Sequence, residues 1–135
     1  MSSTNRYTGF TIIAITILVT IGAMNIIESL TNLRRTQLIP MTDEASFYLT
    51  ILVVGIMLVI GGIVYIYRKN IGAVIATIGT VLNLYILAIR PFIKPPFTSF
   101  YTIFALTLTP LHILALLLLA VDMYLLQKRR EKIMK

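Results

Sequence analysis

Residues 72–90, GAVIATIGTVLNLYILAIR, decide how this chain folds. Gly72, Ala76, Gly79, Asn83, Ile86 and Arg90 recur there at spacings of four, three, four, three and four. At about 100° per residue, the six stay within roughly 40° of one line along a helix. A helix surrounded by lipid has no reason to keep such a line, whereas a helix packed on others gains close backbone approach from Gly and Ala. The stripe predicts a buried, helix-packing face made by Gly72, Ala76, Gly79 and Asn83, at the centre of a bundle.

The surroundings of that stretch place the bundle in a bilayer. Hydrophobic residues make up 58% of the 135 residues and charged ones 13%, where soluble domains run near a quarter charged. The mean hydropathy is +0.91. The net charge of +7 does not indicate nucleic acid, because the basic residues cluster at the ends of apolar runs, the pattern that orients membrane proteins. There is no cysteine, which excludes disulfides, thiolate metal sites and dithiol redox chemistry within the chain.

Three further runs complete the set. Phe10–Ile27 is free of charge over eighteen residues, long enough to span a bilayer and longer than a typical signal-peptide core. Residues 31–45 hold Arg34, Arg35, Pro40, Asp43 and Glu44 and read as a surface loop, since Pro40 opposes one helix running through. The second run, 46–67, carries Gly55 and Gly62 seven apart on one face, a seat for a neighbouring helix. Tyr65 and Tyr67, followed by Arg68 and Lys69, read as an interfacial anchor. Only residues 68–70 separate this run from the third, so the two helices are expected to be adjacent and antiparallel. Pro91, Pro95 and Pro96 predict a non-helical stretch along the membrane surface over 91–97. Thr98 or Ser99 is placed to cap the fourth helix, and Pro110 is expected to bend it or loosen a hydrogen bond near Leu106.

The resulting fold class is an all-α integral membrane protein: one transmembrane domain, a four-helix bundle with antiparallel up-down connections. Its helices are predicted at about 10–30, 46–67, 71–90 and 99–127, with a basic cytoplasmic tail over 128–135. With four crossings, Arg6, Arg68, Lys69, Lys128, Arg129, Arg130, Lys132 and Lys135 share one side, and Arg34, Arg35, Arg90 and Lys94 the other. The heavier side is expected to be cytoplasmic, so both termini face inward in a cell membrane.

Polar residues inside predicted spans are the functional candidates. His112 is the sole histidine and falls near the bilayer midplane. The preferred reading is an imidazole hydrogen-bonded to another helix, with Thr109 one turn earlier. The sharper alternatives are a haem or metal ligand shared with a partner chain, or proton handling. Asp122 lies in the inner third of helix four and needs a partner or a proton, and Arg68 or Lys69 is placed to pair with it. A proton relay from His112 to Asp122 has to cross about 15 Å along the helix. Asn25, Glu28, Asn83 and Arg90 occupy the outer halves of helices one and three and are expected to cluster as hydrogen-bonded glue, or to line an outer vestibule. Met24, Met57 and Met123 are scattered and read as packing rather than copper ligands. The run Lys128–Lys132 is a topology anchor and, secondarily, an attractor of anionic lipid.

The sequence holds no phosphate-binding loop, metalloprotease motif or nucleophile elbow. Small multidrug transporters place a glutamate deep in the first helix and use tryptophan; here Glu28 sits at the rim and tryptophan is absent. With so few ligands, no cofactor or catalytic residue is assigned. The expected function is a non-catalytic accessory subunit packed against larger integral membrane subunits. Respiratory oxidases and membrane-bound monooxygenases are, by analogy, the kinds of complex that fit. The alternative is a small oligomeric transporter or channel for ions, protons or solutes.

Overall fold

The computed structural model describes residues 9–36, 42–93 and 99–135, and the side chains of residues 9–34, 46–86 and 110–135. Among these residues the chain is all-helical: α1 (Gly9–Thr36), α2 (Thr42–Tyr67), α3 (Lys69–Ile93) and α4 (Ser99–Met134). All four helices are long and apolar enough to cross a membrane. Their exposed faces are aliphatic, as with Ile12, Ile27, Val53, Ile78, Leu117 and Val121. α1 packs chiefly on α2, α2 also on α3, and α4 on α1 and, less extensively, on α3.

The helices run further than the polar residues suggest. α1 continues through Arg34 and Arg35, and α2 starts at Thr42, so most of the expected 31–45 loop is helical and the two helices end on either side of Pro40. The helix dipole accounts for this: cations are favoured in the last turn, and Asp43 and Glu44 in the first. α3 likewise passes through Pro91 to Ile93, which removes the first three residues of the expected surface stretch; 94–97 lie outside the described residues, as does Thr98. α4 contains Pro110 without interruption and carries the expected tail as helix to Met134. Its 36 residues extend about 54 Å at ~1.5 Å per residue. The Lys, Arg, Glu and Met of its last two turns are good helix formers, with cations at the favoured end.

Each buried stripe follows helical spacing. On α1 it is Thr11, Ala14, Leu18, Ile21, Asn25 and Ser29; on α4 it is His112, Ala115, Leu119 and Asp122. The α3 stripe is buried at Gly72, Ala76, Gly79, Asn83 and Ile86. Its neighbour is α2: a Cβ built at Gly72 falls onto the Tyr65 backbone at N and Cα, and one at Gly79 falls 3.2 Å from Leu58 Cδ2. The glycines of α2 divide between two partners. Gly55 lies against Gly22 and Asn25, and Gly62 against Val19, both on α1, whereas Gly61 lies against Ala76 of α3. That division draws α2 close to both neighbours at once.

The contacts rank the glycines. An alanine at position 72 has to push backbone from backbone, whereas one at 79 meets the mobile end of a leucine. Gly72→Ala is expected to cost about 3 kcal/mol or more, and Gly79→Ala about 1 kcal/mol or less. Leu82, 40% exposed, should tolerate alanine. Unfolding in mixed detergent micelles measures all three, and equal losses at positions 72 and 79 contradict the packing.

Candidate functional site

Among the described residues, the buried polar side chains other than Thr80, which bonds back to Ala76 O, form two clusters, one toward each end of the bundle. The first is built on Asp122, which is 0% exposed. All four helices reach its carboxylate. Thr11 of α1 donates from Oγ1 to Oδ1 at 2.7 Å, Tyr65 of α2 donates its hydroxyl to Oδ2, and Lys69 of α3 brings Nζ to Oδ2 at 3.1 Å. A carboxylate has lone pairs on both oxygens, and here both are engaged.

The α2–α3 turn explains how two donors arrive together. Arg68 N donates to Val64 O, and Gly72 N to Arg68 O, so helical bonding carries across the junction with Arg68 as the one residue between helices. Tyr65 and Lys69 are four apart and stack on the same side. Lys69 Nζ lies 5.5 Å from the Tyr65 ring centre, within range of a cation–π contact. Of the two cations the sequence offers Asp122, Lys69 pairs with it, its side chain 16% exposed, while Arg68 is exposed. Tyr65 departs from its reading as an interfacial anchor: it is fully buried because its hydroxyl is taken up by the carboxylate, and Tyr67, 78% exposed, is left on the surface.

The second cluster joins three helices in one chain of hydrogen bonds. Asn25 Nδ2 of α1 donates to Asn83 Oδ1 of α3 at 2.9 Å, and Asn83 Nδ2 meets His112 Nε2 of α4. The polarity follows from the amide. Asn83 accepts on oxygen, so its nitrogen donates, Nε2 accepts, and the ring proton belongs on Nδ1. Ser29 adds a bond from Oγ to Asn25 O at 2.7 Å. Of the expected grouping of Asn25, Glu28, Asn83 and Arg90, the structure joins Asn25 to Asn83 and adds His112 to them; Glu28 is half-buried on α1, and the side chains of Arg90 and Thr109 lie outside the described set.

Between the clusters lie Leu18, Val54, Leu58, Ala76, Ala115 and Leu119, all buried. On α4 itself, Ala115 and Leu119 fill the face between His112 and Asp122. No buried side-chain N or O among the described residues lacks a hydrogen-bond partner. Nor do three His, Cys, Asp or Glu side chains come together among those residues. Chemically, then, the described interior holds two hydrogen-bonded polar knots separated by an apolar layer. Comparison of the chain with family models, curated proteins and solved structures finds no match.

Reading the sequence singles out Asp122, His112, Asn25 and Asn83 but misses Thr11 and Tyr65 as donors. The missed signal is the α1 stripe Thr11, Ala14, Leu18, Ile21, Asn25, Ser29, which has the same helical spacing as that of α3.

The hydrogen-bond chain makes a prediction about His112. A glutamine carbonyl can accept from Asn83, so His112→Gln should stay within about 1 kcal/mol of the native protein, while His112→Leu, leaving a buried amide unpaired, should lose roughly 1–3 kcal/mol. Unfolding in micelles tests the pair, and equal losses from glutamine and leucine contradict this assignment.

Proposed function

We propose that this chain is a multi-pass protein of the cell membrane that serves as a non-catalytic packing subunit within a larger integral membrane assembly. The observation that carries the reading is the pairing of the interior: among the described residues every buried side-chain N and O has a hydrogen-bond partner, and Asp122 alone ties α1, α2, α3 and α4 together. What such a bundle has left to act with is its outer wall of Ile, Leu, Val and Tyr. Larger membrane subunits and lipid are the partners suited to that wall.

An antiparallel up-and-down arrangement is part of this proposal. It is supported by the order of contacts, since residues 22 and 19 of α1 meet 55 and 62 of α2, and residues 58, 61 and 65 of α2 meet 79, 76 and 72 of α3. The excess of Lys and Arg at the end holding the α2–α3 turn and the α4 terminus supports cytoplasmic termini. A transporter or channel is the second reading, favoured by two buried ionisable groups, His112 and Asp122. Because an apolar layer separates them within one chain, its path has to form between copies.

Purification from native membranes in mild detergent tells these readings apart. The subunit reading predicts larger partner chains in fixed ratio. A partner-free homo-oligomer that carries protons or ions after reconstitution contradicts it. In the same cells, a cysteine placed at Lys132 should react with an impermeant maleimide only after permeabilisation, and labelling of intact cells reverses the orientation.

A further inference from the structure

A cleft of about 1400 Å³ opens where the end of α2, the turn to α3 and the last turns of α4 come together. Its lining has a marked charge bias. Arg68, Lys69, Arg129, Arg130 and Lys132 all contribute, and no Asp or Glu does. Asp122 lies beneath, but its carboxylate is turned inward to Thr11, Tyr65 and Lys69. The remaining lining is apolar or aromatic, including Ile71, Met123, Tyr124 and Ile133.

That combination of cations above an apolar wall selects an amphiphile. The apolar span of α2 ends at Tyr67 and that of α3 begins at Lys69, so in a bilayer the cleft straddles the level where acyl chains give way to headgroups. A soluble phosphate needs the cations but not the wall; a zwitterionic lipid needs the wall but not the cations. We propose that the cleft binds one anionic phospholipid, its phosphate held by Arg68, Arg129 and Arg130 and its chains running along the apolar side. The proposal rests on the membrane reading given above. It also extends the expected basic tail: because α4 stays helical to Met134, the terminal cations are held at fixed positions facing the turn rather than spread along a loose segment.

The test compares two variants of equal charge. Arg129→Gln with Arg130→Gln removes two lining cations, whereas Lys128→Gln with Lys135→Gln removes two cations that do not line the cleft. All four positions are exposed, so both proteins should fold. The full-length chain, purified in a neutral detergent, is titrated with phosphatidylglycerol, phosphatidylcholine and glycerol 3-phosphate. Binding is followed by native mass spectrometry and by the rise in Tm. The expected result is retention of one phosphatidylglycerol. At about fivefold per cation near the surface, the lining variant should bind roughly 25-fold more weakly and the control variant within about twofold of the native protein. Equal weakening of both variants means diffuse attraction and overturns the site. Equal binding of phosphatidylcholine removes the need for charge, and equal protection by glycerol 3-phosphate makes this a soluble phosphoester site; either overturns the proposal. Because no partner subunit enters the assay, its outcome is separate from that of the subunit reading, and failure of the membrane reading shows instead as a chain that stays monodisperse without detergent.

Discussion

The rest of the structure depends on one buried carboxylate. Removing the Asp122 charge from water costs several kcal/mol, even after the surroundings relax. The cost is offset only if the geometry around the charge is close and complete. Here completion takes one donor from each of the other three helices. No helix can rotate or slide by a turn without leaving a buried charge short of a partner. Apolar packing alone sets no such register, because one leucine face fits another almost as well after a shift. A polar contact that tolerates few alternatives is a known means of fixing register.

The glycines make that geometry reachable. Gly72 lies against the Tyr65 backbone, and Gly61 against Ala76, so α2 and α3 approach closely enough for Tyr65 and Lys69 to serve the same oxygen. Toward the other end, Gly55 against Gly22 and Asn25 draws α1 onto α2. Asn25 can then reach Asn83 across the bundle. Small residues set the spacing, and polar residues set rotation and height. The apolar layer between the knots supplies bulk and isolates the two ionisable groups from each other.

How much of this could be read in the sequence differs from element to element. The four apolar helices were legible because each run is long and bounded by charge, and the α3 stripe because Gly and Ala in line have few other uses. Helix ends were not legible at Arg34–Thr36, Pro91–Ile93 or Lys128–Met134: polar residues mark the edge of an apolar run, whereas helices stop where backbone bonding stops. Lys69 could be named only as one of two cations near Asp122, since the choice depends on rotation about a turn with a single residue between helices. The sequence does not reveal the burial of Tyr65, because a tyrosine beside basic residues fits an interface equally well. Only the three-dimensional position of Asp122 turns it inward. The chain Asn25–Asn83–His112 links residues up to 87 positions apart, and no local pattern announces it.

A double-mutant cycle between Lys69 and Asp122 tests the central claim most directly. Lys69→Met, Asp122→Leu and the combined variant are unfolded side by side in the same micelles. If the carboxylate organises the bundle, Lys69→Met leaves the buried carboxylate one donor short and loses about 1.5–3 kcal/mol, and Asp122→Leu, which takes the acceptor away from Thr11, Tyr65 and Lys69 together, loses more. The combined variant should then recover part of that loss, with a coupling above about 1.5 kcal/mol. Losses that add within about 0.5 kcal/mol would show that the two residues act independently, and the helices would have to be held by packing alone.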